Sequence, residues 1–297
     1  MKKISVIIPV FNAMRFLPDL FQCLDRCHFT EGDEIFLVDN GSTDGSEAFC
    51  ADKARTNALY RSLSYTDKAD SYAARNYALN FAQGDILVFT DSDCKPVPGW
   101  LDEIRNNLAP GQVMAGRIEL EVVENSIWEH YDSITHLGQS RRRIEEGLIA
   151  TANMAVHRAD FELVGRFEER FSGGDFDWSK RARAKGLETA YFPDALVYHP
   201  TRKSFKETLQ KEKRIAYGVG KSYRNNRKSL VSLAVLYFLK IFNFATNIRI
   251  TKAMKAQNVS AKGRIVFNLR FLQIRWAQLV AAVRGYRQVN ARALGIK

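Results

Sequence analysis

Two carboxylates two residues apart follow an apolar run in this chain of 297 residues. The run Ile-Leu-Val-Phe at 86–89 leads into Asp91, Ser92 and Asp93. A buried strand here would bring both carboxylates to the carboxyl edge of a sheet, where open α/β folds bind ligands. Carboxylates at this spacing can hold a divalent cation and, through it, a diphosphate. Because Asp-x-Asp also occurs in solvated turns, the interpretation depends on the surrounding elements.

The elements before this motif predict an α/β sheet that would position it. Residues 4–12 form a β-branched run, and we expect Pro9 to end that strand because proline cannot donate a ladder hydrogen bond. Apolar residues between 16 and 24 recur at helical spacing. A second strand over 34–39 ends in Asp39 and is followed by a turn-rich segment. A third strand near 59–65 and a helix over 71–83 complete the pattern.

The second half of the chain adds polar residues at the ends of predicted elements. A strand-like run over 150–157 contains Asn153, and a glycine-containing loop at 172–174 opens a helix that carries Asp175. Another apolar run ends in His199. A carboxylate at a helix start lies near the positive end of the helix dipole, which favours its ionised form. This position alone also fits a helix N-cap.

Four motifs, in this order and spacing, resemble the inverting family-2 glycosyltransferases of the GT-A fold. They are Ser-Val-Ile-Ile-Pro-Val-Phe-Asn at 5–12, Val-Asp-Asn-Gly-Ser-Thr-Asp-Gly-Ser at 38–46, Ala-Arg-Asn at 74–76 and Asp-Ser-Asp at 91–93. The resemblance covers about residues 3–203. It implies a Rossmann-like, mainly parallel mixed sheet flanked by helices, with a nucleotide-sugar at its carboxyl edge.

Two other nucleotide-binding classes fit the sequence less well. A nucleotidyltransferase usually shows a Gly-rich loop with Lys or Arg after its first strand, where this chain has Pro-Val-Phe-Asn. A dehydrogenase would need a Gly-x-Gly-x-x-Gly motif there, and none follows the first strand. A non-enzymatic alternative is a membrane-recruited glycan-binding scaffold that keeps a relict transferase fold.

The resemblance implies a donor-binding role for residues of the first half. Pro9 and Phe11 would line the base pocket, and Asp39 would accept a hydrogen bond from the base or ribose. Arg75 would approach the base or the diphosphate, because a diphosphate needs a facing cation. Alternatively, Arg75 is a surface cation that pairs with Asp70 or another neighbour.

The resemblance also implies a metal site. Asp91 and Ser92 would lie with the nucleotide, and Asp93 would bind Mn²⁺ or Mg²⁺ directly. In the family, a histidine after a late strand can complete the metal shell, and His199 occupies such a position. Imidazole suits Mn²⁺ better than Mg²⁺. A lone histidine is otherwise more often structural.

The catalytic base of the family maps to Asp175. The usual pattern is Gly-Glu-Asp-x-Asp-Leu, and this chain has Gly174 where Glu is common. This departure affects the expected geometry of the loop, and Asp177 is the alternative base. Asn153, Asp177 and Trp178 are possible acceptor contacts. Sugars stack on indole rings, but Trp178 could equally be a core aromatic. The acceptor side is expected to include residues 119–143. The three consecutive arginines at 141–143 could meet an anionic acceptor, although a solvated charge run fits them better.

Charge divides the chain into two parts. Residues 1–200 contain 22 Lys or Arg and 31 Asp or Glu, whereas residues 201–297 contain 22 Lys or Arg and two Glu. The basic part is also apolar over 229–248 and 264–286, with interruptions such as Lys240. Basic, apolar helices lie in the plane of anionic membranes, and a spanning helix needs ~20 mostly apolar residues. We therefore predict a catalytic domain over 1–203 and a helical extension over 204–297 that binds a membrane surface or a second copy.

The remaining composition predicts a location and excludes some partners. The four cysteines form neither a zinc-binding pattern nor a disulfide framework, and the first residues lead directly into a strand instead of a signal peptide. Long apolar runs in the basic part argue against a nucleic-acid partner. The sequence thus predicts a cytoplasmic enzyme, peripheral at the inner face of the cell membrane. It would transfer a sugar from a nucleotide diphosphate to a hydroxyl of a glycan or polyprenyl-linked glycan, with a divalent metal.

Overall fold

The computed structural model describes residues 2–67, 70–136, 144, 147–170 and 172–288. The chain forms two compact units. Unit 1 comprises residues 1–119, 139–170 and 174–200, and unit 2 comprises residues 120–138, 171–173 and 201–297. The functional division at residue 203 stays a prediction, and the described residues 120–136 belong to the same unit as the C-terminal helices.

An eight-stranded mixed sheet occupies unit 1, and its sixth strand ends in unit 2. Its strands are β1 Ile4–Val10, β2 Glu34–Asp39, β3 Tyr60–Ser64, β4 Ile86–Thr90, β5 Lys95–Pro96, β6 Gln112–Glu121, β7 Asn153–His157 and β8 Glu188–Pro200. Their order is β3-β2-β1-β4-β7-β6-β8-β5. The first four strands pair in parallel, whereas β7 is antiparallel to β4 and β6, and β5 to β8. The chain passes from β1 to β2 on one side and returns to β4 on the other, which creates a switch point at their carboxyl ends.

The helices alternate with the strands in the first half and follow one another in the last third. They are α1 Leu17–Leu24, α2 Ser46–Thr56, α3 Ser71–Ala78, α4 Trp100–Asn107, α5 Ile127–Thr135, α6 Arg158–Val164, α7 Gly174–Ala184, α8 Phe205–Asn225, α9 Leu230–Ile241, α10 Phe244–Ala256 and α11 Ala261–Tyr286. Of these, α5 and α8–α11 belong to unit 2. Every residue of β1, β2 and β4 is buried, as expected for parallel strands covered on both faces.

The first strand differs from its prediction. It continues through Pro9 to Val10, where we expected Pro9 to end it. β4 pairs with β1 only as far as Ile7, whereas Pro9 lies opposite Val38 of β2. The missing N–H of Pro9 therefore removes no bond to β4, and a proline is tolerated near the end of a central strand.

Two long helices organise unit 2. Phe205 contacts Arg270, and Glu212 accepts a hydrogen bond from Gln278, so α8 and α11 run side by side in the same direction. They approach most closely at Gly220 and Gly285. A Cβ on Gly220 would lie 2.0 Å from the Ala282 oxygen, and a Cβ on Gly285 would lie 2.1 Å from the Tyr217 oxygen. No other residue fits at these crossings without separating the helices.

Helix α5 and the adjoining His136 join these helices through apolar and ionic contacts. Trp128 and Tyr131 of α5 pack with Phe267 and Phe271 of α11. The buried Asp132 accepts hydrogen bonds from Arg202, Lys211 and His136 at 3.0–3.1 Å. Burial alone would raise the pKa of Asp132, but the His136 hydrogen bond and the two cations hold that pKa well below its usual range. We call Asp132, His136, Arg202, Lys211 and Glu212 the Asp132 cluster.

Candidate active site

The loop after β2 leaves one carboxylate oxygen without a partner. Asp39 is fully buried, and its Oδ2 accepts the N–H groups of Gly41 and Ser42 at 2.9 and 3.0 Å. Its Oδ1 has no hydrogen-bond partner among the described residues. An unsatisfied buried polar atom is costly, so this oxygen is suited to accept from a bound ligand.

Pro9 and Phe11 lie beside this loop at the end of β1. Pro9 is buried, whereas Phe11 is 49% exposed. Asn12 adopts a left-handed conformation with φ 48°, and its side chain accepts from the N–H of Thr43 at 2.8 Å. Its own N–H donates to Ser42 Oγ at 2.9 Å. These bonds join the two loops, so the exposed ring of Phe11 and the free oxygen of Asp39 lie on connected segments.

The sheet brings His199 to the Asp-x-Asp motif. Lys95 of β5 pairs with Tyr198 of β8, which places His199 beside Asp93. The ligand atoms of Asp91, Asp93, Cys94 and His199 all lie within 4.8 Å of one another. Nδ1 of His199 lies 2.8 Å from the Pro200 oxygen, which can only accept, so Nδ1 carries the proton. Nε2 lies 3.5 Å from Asp93 Oδ1, and in this tautomer it is the ring nitrogen that can bind a metal.

The chemistry of this group fits a hard or borderline divalent cation. Cys94 is fully buried, its thiol lies 3.6 Å from the Ala152 oxygen, and burial raises its pKa well above the ordinary value. A protonated thiol is a poor ligand. The donors that remain are the carboxylates of Asp91 and Asp93 and the imidazole of His199, which suit Mn²⁺ or Mg²⁺. The spacing alone allows both carboxylates to hold a cation, whereas the resemblance assigns Asp91 to the nucleotide; the structure groups Asp91 with Asp93 and His199.

Arg75 faces this group from α3. Its side chain is 2% exposed and donates to the Asp91 carboxylate. Its Nε has no partner among the described residues. Asp70, the neighbour considered as a surface partner, caps α3 by accepting the N–H of Tyr72 at 2.8 Å. Arg75 is therefore a buried cation beside the candidate metal-binding residues Asp91, Asp93 and His199.

Tyr72 and Gly174 define the surroundings of Asp175. The Tyr72 hydroxyl donates to Asp175 Oδ1 at 2.9 Å, and the Phe176 N–H donates to the same oxygen at 3.0 Å. Burial raises the pKa of Asp175 above its ordinary value, although these two hydrogen bonds oppose the rise. A Cβ on Gly174 would lie 2.9 Å from the Tyr72 ring and from the Glu168 oxygen. The glycine that replaces the family's usual Glu therefore makes room for Tyr72.

Helix α3 links the two halves of the site. Tyr72 and Arg75 are three residues apart on one face of α3, and the Arg75 guanidinium lies 5.6 Å from the centre of the Tyr72 ring. Tyr72 contacts Asp175, and Arg75 contacts Asp91. Sequence reasoning missed Tyr72 because its partner is 103 residues away. No local pattern around residue 72 indicated this contact.

Two predicted acceptor contacts are wrong. Trp178 is fully buried, stacks on Phe161 at 5.1 Å and donates from its indole N–H to the Gly165 oxygen at 2.7 Å. Asn153 is also fully buried and bonds to Arg117, Ala195 and Trp100. Both side chains hold the core together, so neither presents a surface to a sugar.

The other predicted site residues lie near the surface of unit 1. Asp177 forms ion pairs with Arg170 at 2.9 Å and Arg181 at 3.1 Å, which leaves Asp175 as the carboxylate of this helix turn that contacts Tyr72. Ser92 lies, partly exposed, in the turn between Asp91 and Asp93. The arginines at 141–143, expected on the acceptor side, lie outside the described residues.

The sequence profile described as Glycosyl transferase family 2 matches residues 5–165. The chain belongs to glycosyl transferase family 2. A second profile, Glycosyl transferase family group 2, matches residues 86–283 of this family-2 enzyme. Glycosyltransferase AglE of Haloferax volcanii is 30% identical to it over 232 residues, which cover 76% of each chain. This family-2 chain is therefore a glycosyltransferase, and the nucleotidyltransferase and scaffold alternatives are set aside.

Solved structures show the same fold. The mannosyltransferase PcManGT from Pyrobaculum calidifontis, in complex with GDP-Man and Mn²⁺, matches with a TM-score of 0.63 and 17% identity over 97% of this chain and 88% of its own. Staphylococcus aureus TarS 1–349, in complex with UDP-GlcNAc, matches with a TM-score of 0.55 and 17% identity over 99% and 92%. The predicted GT-A fold of the family-2 enzyme is confirmed.

Proposed function

We propose that this glycosyltransferase catalyses a metal-dependent, inverting transfer from a nucleotide diphosphate sugar to a hydroxyl of a glycan or polyprenyl-linked glycan. The observation that carries the proposal is the path of contacts from Asp175 through Tyr72 and Arg75 to the Asp91, Asp93 and His199 group. Through Tyr72 and Arg75, one helix contacts both the candidate base and the candidate metal-binding residues, which supports a single in-line displacement because such a step needs both groups close to the reacting atoms.

The residues divide the chemistry between them. Asp39, with its free Oδ1, accepts from the base or ribose of the donor, and Phe11 offers an exposed ring to the base. Asp91, Asp93 and His199 hold the divalent cation, which when bound stabilises negative charge on the departing diphosphate. Arg75 adds a buried positive charge beside the same group.

Asp175 acts on the acceptor. Its carboxylate removes the proton from the acceptor hydroxyl while that oxygen bonds to the anomeric carbon and the carbon–diphosphate bond breaks. The products are a glycoside of inverted configuration and a nucleoside diphosphate. The raised pKa of Asp175 makes its carboxylate a stronger base than an ordinary aspartate, provided that it stays ionised at the working pH.

A donor panel tests the proposal without a known acceptor. Thermal unfolding is measured with UDP-, GDP- and dTDP-sugars, each with Mn²⁺, Mg²⁺ or EDTA, because a ligand of the folded state raises the melting temperature. We expect one nucleotide class to stabilise the enzyme, loss of the effect with EDTA or in Asp93→Asn, and slow Mn²⁺-stimulated donor hydrolysis. Stabilisation that persists unchanged in EDTA would contradict the metal dependence.

A further inference from the structure

Two helices of unit 2 are apolar on both sides. In α9, Leu233, Tyr237 and Ile241 are buried, and α11 buries Phe267, Phe271 and Ile274. Their other sides expose large apolar side chains at helical spacing: Val235, Phe238 and Leu239 of α9 and Leu269, Leu272 and Trp276 of α11. We call these six residues the exposed apolar face.

The exposed apolar face differs from an ordinary protein surface in how its apolar side chains are arranged. Scattered apolar residues are common on protein surfaces, but stripes that follow one side of a helix mark an interaction surface. Leu239 is 62% exposed and Leu269 is 70% exposed. Leu233 and Tyr237 of α9 pack with Ala281 and Ala282 of α11, so both stripes belong to one packed pair of helices.

We propose that the exposed apolar face docks unit 2 on a phospholipid bilayer with anionic headgroups, with α9 and α11 in the plane of the surface. Among the residues that the structure describes, no helix by itself is long and apolar enough to cross a membrane. Only α9 together with α10, bent by 46°, meets the length and composition of a span. The short α9 and the arginines within α11 fit an interfacial position better than a spanning one.

Charge decides between a membrane and a second copy as the occupant. Residues 230–286 contain nine Lys or Arg and no Asp or Glu. Exposed cations include Lys252, Lys255 and Arg270. A symmetric dimer would place this face against itself and bring two wholly basic surfaces together, which like-charge repulsion opposes. Anionic headgroups instead complement the cations while the acyl region takes the apolar side chains.

The docking surface stands independently of the proposed transfer reaction. It gives a physical basis for the expected location at the cytoplasmic face of a membrane. It would also concentrate the enzyme where a polyprenyl-linked acceptor lies, so transfer to such acceptors would gain from docking while donor hydrolysis would not.

Vesicle sedimentation of the full chain tests the proposal. The probes are vesicles of phosphatidylcholine alone or mixed with phosphatidylglycerol, at low and high salt. We expect binding to the anionic vesicles that weakens with salt. The double variant L239E/L269E should lose at least about tenfold in vesicle partitioning, since it places two charges in the apolar region. The control L163E changes a leucine of unit 1 that is 54% exposed and should bind normally.

Charge variants separate the ionic contribution from the apolar one. K252E/K255E should remove the preference for anionic vesicles, whereas K185E, at an exposed lysine of unit 1, should keep it. Sedimentation velocity without lipid measures self-association of each protein, and circular dichroism checks folding. Unchanged vesicle binding by folded L239E/L269E, absence of vesicle binding by the wild type, or a dimer that L239E/L269E dissociates would each overturn the proposal.

Discussion

The carboxylates of the two units differ in how fully they are satisfied. In unit 2, Asp132 is buried and accepts from Arg202, Lys211 and His136. In unit 1, Asp39 is equally buried but keeps Oδ1 without a partner among the described residues. A buried carboxylate whose oxygens are hydrogen-bonded carries no penalty for unsatisfied atoms, and its bonds hold the helices together. A buried oxygen without a partner is costly unless a bound ligand satisfies it. We therefore interpret the Asp132 cluster as structural and Asp39 as a ligand-binding residue.

Among substitutions that test this contrast, we expect the largest loss of activity at Asp175. Asp175→Asn should lower kcat by about 10²–10⁴-fold, because general base catalysis contributes that much, while the melting temperature changes little. Asp177→Asn is the matched control, since Asp177 lies two residues away and pairs with arginines, and it should lose less than about tenfold. Equal losses in both variants would mean that the base is misassigned.

Asp132 should show the opposite behaviour. Asp132→Ala leaves buried cations unpaired and should reduce the free energy of unfolding by about 3–5 kcal/mol, measured by urea denaturation. Asp52→Ala, which removes an exposed pair with Arg55, should cost less than about 1 kcal/mol. Donor binding to folded Asp132→Ala should be normal.

The pH dependence of stability extends this test. The pKa of Asp132 is lower in the folded protein than in the unfolded chain, so its contribution is present above the unfolded pKa of about 4 and is lost as pH falls toward the folded value. The wild type should therefore lose stability in acid more steeply than Asp132→Ala. A steeper loss in the variant would contradict the assigned direction.

His199 tests whether the unit 1 group binds metal. His199→Gln should weaken Mn²⁺ binding by at least about tenfold, because it replaces the imidazole nitrogen with an amide oxygen. The ratio of Mn²⁺ affinity to Mg²⁺ affinity should also fall, since imidazole suits Mn²⁺ better than Mg²⁺. Titration calorimetry of the free protein with each metal measures this without turnover. His28→Gln, at an exposed histidine paired with Asp102, is the control. Identical Mn²⁺ affinity in all three proteins would remove His199 from the metal set.

The smallest expected effect is at Tyr72. Its hydroxyl lowers the pKa of Asp175, so Tyr72→Phe should raise that pKa further. Because the base works when ionised, activity is lost as pH falls through its pKa, and the acid limb of kcat/KM should move to higher pH in the variant. A tyrosine with only a packing role would lower the rate without moving this limb. Tyr77→Phe, on the same helix, should leave the limb in place.

Local patterns predicted the residues at the strand ends. Asp39, Asp91 and Asp93 follow short apolar runs whose strand character is encoded within a few residues, and their positions match the prediction. Contacts across the fold were not predictable in this way. The bond from Tyr72 to Asp175 and the pairing of Arg75 with Asp91 depend on how α3 packs, which no local pattern contains.

Ambiguous residue types account for the other differences. A tryptophan in the first turn of a helix can pack in the core or stack on a sugar, and the local sequence is the same in both cases. Trp178 is fully buried in the core. Similarly, α5 looked like part of the catalytic region because its partners in α8 and α11 lie more than 70 residues further along the chain.

The assignment of α5 to unit 2 has a consequence for synthesis on the ribosome. Tyr131 and Asp132 emerge about 70 residues before α8 begins and about 130 before α11. At ~5–20 residues per second, synthesis reaches α8 roughly 4–14 s after α5 and reaches α11 roughly 7–26 s after it. Throughout that interval Tyr131 and Asp132 lack their native partners in α8 and α11, so α5 exposes apolar surface on the nascent chain. A chain stopped at residue 203 would hold it in that state permanently.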